Sequence, residues 1–183
     1  REVIRELEAE RLVESNRRRG FVVAAMSLKE VADLYGVRIL LEARACALCA
    51  AAMTAELARR LDAAMEAIEA AALSGDREAQ RRTNTAFYEA IFEAADNVVL
   101  GQILHALHGR VSYLRSLSMS QGGRPLQSLG ELKAILAALK AGDGAEAARL
   151  STLHIEAARA VALKALGEET ARSPEPALEA QPN

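Results

Sequence analysis

Cys46 and Cys49, three positions apart, form the first pair whose types and spacing could do chemistry. A Cys-x-x-Cys unit serves thiol–disulfide exchange at a helix N-terminus, or supplies half of a four-ligand zinc site. Here it lies inside an alanine-rich stretch with no strand before it and no second ligand pair nearby, so both thiols read as small buried hydrophobes. The histidines are the next candidates. His105 and His108 stand three apart with His154 far downstream, and no carboxylate is placed to complete a metal set, so they read as surface or satisfied buried side chains. The pattern offers no glycine-rich phosphate loop, no nucleophile beside a placed base and no paired carboxylates on one pocket face, which argues against an enzyme. The sharpest charge feature is the run Arg17, Arg18, Arg19 ahead of Gly20. Guanidinium groups suit phosphates and guanine edges. Glu2, Glu6, Glu8, Glu10 and Glu14 just upstream also permit a plainer reading, a solvated charged surface.

Composition bounds the elements that must position such residues. The chain has 183 residues, 51% hydrophobic but only 3% aromatic, with no tryptophan, and such alanine- and leucine-rich chains pack helix on helix around one core. A net charge of −2 gives the whole chain no electrostatic case for nucleic acid, so any DNA contact must come from a local patch. No apolar run reaches a membrane span and the N-terminus lacks a signal pattern, so the expectation is a soluble, cytoplasmic protein with no membrane partner.

Val3, Ile4, Leu7 and Leu12 repeat at helical spacing from the first residues, which suggests further helices upstream; after them a polar turn and Gly20, Phe21, Val22 and Val23 read as a hairpin. Ser27, Leu28, Lys29 and Glu30 form a capping box that opens a long helix faced by Val31, Leu34, Tyr35 and Ala45. Thr54 caps a second helix ending at Ser74 and Gly75, and a third runs from about Asp76 to Ala95, broken by Asp96 and Asn97. Leu100, Leu104, Val111 and Leu114 mark a fourth, closed by a loop from Ser120 to Pro125. Ser128 and Glu131 read as a second capping box opening a fifth helix, which stops at Gly142. The sixth carries Ala147, Leu150, His154 and Val161. The expectation is an all-α antiparallel bundle of about six helices over residues 27–167, behind a partial head at 1–25 and ahead of a disordered, proline- and glutamate-rich tail at 168–183.

Residues 1–14, the basic turn, and Gly20 to Val23 resemble the recognition helix and wing of a GntR-family winged helix. The stretch Ser27 to Tyr35 running into Val37, Arg38 and Glu42 resembles the opening of that family's FCD effector domain. Phe87, then Ala95, Asp96, Asn97 and Leu100, then Ile135 to Asp143, and finally His154 continue in the order of that branch to about residue 166. The resemblance implies a homodimeric, ligand-responsive transcription regulator. Arg1 and Arg5 would lie on the recognition helix, and Arg17, Arg18, Arg19 and Gly20 on the wing, against operator DNA. Without the helices that seat the recognition helix, residues 1–183 alone should bind DNA weakly or without specificity.

Many members of the branch hold a divalent metal with an aspartate, a histidine four residues on, and two later histidines. The matching positions here are Asn84, Tyr88, Leu132 and His154, of which only the last is a family ligand, so no family-type metal site and no cofactor is expected. A pocket without its ion needs a side chain to anchor an acidic effector. Arg38 is the first candidate and Arg115 the second, with Asn84, Tyr88 and His154 adding hydrogen bonds and Leu132 an apolar wall. Arg38 reads equally well as a structural partner of Glu42 at i,i+4. A small organic acid fits this set, and a more apolar effector would suit the greasier wall that Leu132 implies. The alternative is a dimerisation module with a degenerate pocket.

Overall fold

The computed structural model describes residues 13–16, 20–23 and 26–172. Strands β1 (Val13–Asn16) and β2 (Gly20–Val23) pair antiparallel, Val13 opposite Val23 and Asn16 opposite Gly20. Gly20 is exposed with φ 77°, a left-handed conformation that suits glycine where the hairpin turns back. Arg1, Arg5, Arg17, Arg18 and Arg19 lie outside the described residues.

Six helices follow among the described residues: α1 (Leu28–Ala51), α2 (Ala55–Ser74), α3 (Arg77–Ala94), α4 (Val98–Met119), α5 (Arg124–Lys140) and α6 (Gly144–Arg172). They form the all-α antiparallel bundle expected from the periodicity. Most starts carry a side-chain cap. Ser27 Oγ accepts from Glu30 N at 3.2 Å while Glu30 Oε2 accepts from Ser27 N at 2.9 Å. Thr54 caps α2, Asp76 caps α3, Asn97 caps α4, and Asp143 accepts from Glu146 N at the start of α6. Where α6 begins, a Cβ on Gly144 would sit 3.0 Å from the Ala47 carbonyl, so glycine lets α6 approach the backbone of α1.

Two boundaries depart from the sequence reading. α5 starts at Arg124, one turn before the expected Ser128 cap. Gly123, with φ 80°, caps it, and Pro125 sits in the first turn, where a missing N–H costs nothing. Ser128 is therefore a buried interior residue and Glu131 does not close a capping box. α6 runs through residue 172, five residues into the segment expected to be disordered; residues 173–183 lie outside the described set.

The core comes in two parts. The larger joins Cys46 and Cys49 of α1 to Leu61 and Ile68 of α2, Phe87 and Ile91 of α3, Leu104 of α4, Leu132 and Ile135 of α5 and Ala147 of α6. The smaller joins Val31, Leu34 and Tyr35 of α1 to Val111 and Leu114 of α4 and Ile155 and Ala162 of α6. Burial pushes the Cys46 thiol up to about 12 and that of Cys49 to about 11, so both cysteines act as apolar filling. Arg38 and Glu42 on α1, and His108 on α4, come between these apolar positions in chain order. A polar layer therefore crosses the bundle between its two cores.

Candidate functional site: a polar chamber in the bundle

Five helices build a chamber in this layer. Tyr35 and Arg38 come from α1, Asn84 and Tyr88 from α3, Arg115, Ser118 and Met119 from α4, Arg124 and Ser128 from α5, and His154 and Ala158 from α6. Five of the six residues singled out in the sequence, Arg38, Asn84, Tyr88, Arg115 and His154, thus meet at one place. Leu132 does not. It lies one turn beyond Ser128 on α5, about 6 Å further along the axis, and is fully buried in the larger apolar core. The wall that Leu132 was expected to supply is instead polar, made by Arg124 and Ser128.

A hydrogen-bonded relay ties two of the guanidinium groups together. Arg38 Nε donates to Glu42 Oε1 at 2.7 Å, His108 Nε2 lies 3.0 Å from the same oxygen, and Arg115 Nη2 lies 3.3 Å from His108 Nδ1. A carboxylate only accepts and a guanidinium only donates, so His108 is the neutral tautomer with its proton on Nε2. Both readings of Arg38 apply at once: it is an ion-pair partner of Glu42 and also part of the chamber wall. Burial favours the neutral form of Glu42, but Arg38 and His108 outweigh it and hold the carboxyl well below the usual range.

A second cluster faces the first. Arg124 grips Glu131 with two parallel bonds of 2.7 and 2.9 Å, and His154 Nδ1 donates to Glu131 Oε2 at 2.6 Å. Burial raises the Glu131 carboxyl, yet the bonds from His154 and Arg124 bring it down to about 2. Burial likewise lowers His154. The sequence reading missed Arg124 and Glu131, because their i,i+7 spacing shares a helical face only once α5 is known to start at Arg124.

Three guanidinium groups therefore face two carboxylates, and Arg115 is the one left over. Its contacts are the neutral His108 ring and the face of Tyr88, 5.4 Å from the ring centroid. Burial and then the nearby Arg38 both disfavour its charge. Three further polar atoms of the wall, Tyr88 OH, Ser118 Oγ and Arg124 Nε, are buried without a hydrogen-bond partner. Each such orphan costs about 1–3 kcal/mol. The free volume is about 20 Å3, room for one water.

The positions that match metal ligands in the resembling branch hold other chemistry. Asn84 Nδ2 donates to the Gln80 carbonyl at 2.8 Å, burial raises the Tyr88 phenol further, and Leu132 has no donor atom. Among the described residues no three His, Cys, Asp or Glu side chains are grouped to share a metal ion. His105 is exposed, its ring edge-on to Phe92, and His108 is spent on the relay.

The neutral buried imidazoles give the fold a pH dependence. An unfolded imidazole takes up a proton near pH 6.5, whereas native His108, pushed down by burial, resists until about 4. The unfolded state binds more protons across that window, so stability falls by about 3 kcal/mol as the pH drops through it, and His154 adds in the same direction. Urea unfolding at pH 7.5 and pH 4.5 should show this loss, reduced in His108→Gln. Equal stability at both pH values would contradict the neutral assignment.

Comparison with known proteins followed the geometry. The FCD domain family matches residues 33–157. Over 158 residues, 86% of this chain and 69% of the relative, the sequence is 31% identical to a protein of Paenarthrobacter nicotinovorans described as a probable D-xylose utilization operon transcriptional repressor. The fold matches E. coli McbR/YncC with a TM-score of 0.81 at 20% identity, covering 89% of this chain and 82% of that one. It matches the metal-free FCD domain of TM0439 with a TM-score of 0.66 at 19% identity, covering 79% and 99%. A GntR regulator from Rhodococcus sp. RHA1 matches with a TM-score of 0.71 at 20% identity, covering 91% and 78%.

Proposed function

The chain belongs to the FCD branch of the GntR transcription regulators, with a helical effector domain, and on that premise we propose that its polar chamber senses the carboxylate of a small organic acid without a resident metal. The observation that carries this reading is the uncompensated Arg115 guanidinium beside the orphaned Tyr88 OH, Ser118 Oγ and Arg124 Nε. A carboxylate has one negative charge and lone pairs for several donors, which is what this wall lacks. Arg115 takes the role that the sequence gave first to Arg38, whose Nε is already committed to Glu42. The donor atoms at the family ligand positions do not suit a divalent ion, so the anchor is a side chain.

Ligand entry requires the chamber to open, since about 20 Å3 is less than a carboxylate needs. Arg38 and Glu42 belong to α1, and only residues 24–27 separate α1 from strand β2. A shift of α1 on ligand binding would therefore reach the hairpin and any operator contact made by Arg17, Arg18, Arg19 and Gly20. In a homodimer with Arg1 and Arg5 on the recognition helices, it would change the spacing of the two heads. Among the described residues no helix is long and apolar enough to cross a membrane. The small volume also favours a second reading, a dimerisation module whose pocket has closed.

Thermal unfolding against a panel of organic acids, with divalent metals and with chelator, separates the two. The expected result is a rise in Tm with carboxylates that is unchanged by chelator. A rise that requires metal, or no response to any acid, overturns the proposal.

A further inference from the structure

A second cavity of about 240 Å3 lies between α3 and α4 and shares Asn84, Arg115 and Met119 with the chamber. The two spaces are thus separated by a common wall of three side chains. The outer cleft is an order of magnitude larger and can take the body of a molecule whose head enters the chamber.

Its polar atoms are unusually free. Serine and threonine within a helix commonly bond back to a carbonyl one turn earlier. Thr83 and Thr85 do so here, to Ala79 O at 2.8 Å and Arg81 O at 3.0 Å. Ser112 and Ser116, one turn apart on α4 and lining the cleft, make no side-chain hydrogen bond among the described residues. On the facing helix, Gln80 Nε2 donates to Ala71 O at 3.2 Å and Asn84 Nδ2 to Gln80 O at 2.8 Å. A carbonyl only accepts, so both amide nitrogens are spent and the amide oxygens remain as acceptors. The cleft thus offers two uncommitted hydroxyls on one side and two amide acceptors on the other. An alkyl chain would leave these groups unpaired, whereas a hydroxylated chain supplies both donors and acceptors.

We propose that the effector is a monocarboxylic acid with a hydroxylated body, its carboxylate at Arg115 in the chamber and its hydroxyl groups between Ser112, Ser116, Gln80 and Asn84 in the cleft. This rests on the reading of the chamber as a carboxylate site. Three probes separate head from body: acetate, hexanoate and gluconate, titrated calorimetrically into the wild-type protein and a Ser112→Ala/Ser116→Ala double variant. Gluconate should bind at least about tenfold more tightly than hexanoate, and the double variant should lose about tenfold for gluconate while leaving acetate unchanged. If hexanoate binds as well as gluconate, or the double variant keeps the wild-type ratio, the hydroxylated body is wrong and the carboxylate chamber stands. If none of the three binds, the chamber reading fails and this inference with it.

Discussion

Replacing Glu42 by alanine should destabilise the protein by about 3–5 kcal/mol, the largest effect of any single substitution in the polar layer. Glu42 is fully buried and accepts from both Arg38 and His108 through one oxygen. Its removal strands the Arg38 guanidinium, itself only 3% exposed, with no carboxylate, and leaves the His108 Nε2 proton unbonded. Glu42→Gln provides the control, because it keeps the volume and an acceptor oxygen while losing the charge. It should fall between wild type and Glu42→Ala. Denaturant midpoints read both; a loss below about 1 kcal/mol for the alanine variant would mean that Arg38 and His108 find other partners.

Arg115→Met is expected to behave in the opposite way. Arg38 and Arg124 each have a carboxylate, and Arg115 has none. Methionine fills a similar volume, removes a buried charge and gives up the contact with Tyr88, worth about 0.5–1 kcal/mol. The unliganded protein should therefore stay within about 1 kcal/mol of wild type, or exceed it, since exchanging buried charge for packed apolar volume is often neutral or stabilising. Carboxylate binding, by contrast, should weaken about 10- to 100-fold, the equivalent of one charge-assisted contact of about 1.5–3 kcal/mol. A variant that unfolds readily and binds nothing would assign Arg115 a structural role. A stable variant that binds as wild type would remove Arg115 from the site.

Much of this was legible from local pattern. The caps at Ser27, Thr54 and Asn97 and the apolar stripes fixed five of the six helix starts to within a residue or two, because a side-chain oxygen facing a free N–H is a local event. Arg38, Asn84, Tyr88, Arg115 and His154 were likewise visible as polar residues at positions that resemble a known pocket. The start of α5 was not. Gly122, Gly123 and Pro125 read as a loop, whereas glycine caps the helix and proline fits its first turn. That misreading hid Arg124 and Glu131 as a pair and placed Leu132 at the pocket rather than in the core. The relay through Glu42 and His108 was out of reach for a different reason. Its members lie 66 residues apart, and only the packing of α1 on α4 brings them together.

The layer also explains why the bundle has two apolar cores rather than one. A continuous apolar interior would be more stable, since buried ion pairs seldom outperform hydrophobic packing. Placing charge mid-bundle gives up part of that stability and leaves donors to receive a ligand, a common trade at binding sites.

The most direct test is a crystal structure of the protein grown in chelator with a bound carboxylic acid. The account predicts the carboxylate within hydrogen-bond distance of Arg115 and Tyr88 OH, with Met119 displaced from the shared wall and no metal ion. A carboxylate bridged to His154 by a metal, or bound elsewhere with Arg115 still unpaired, would contradict it.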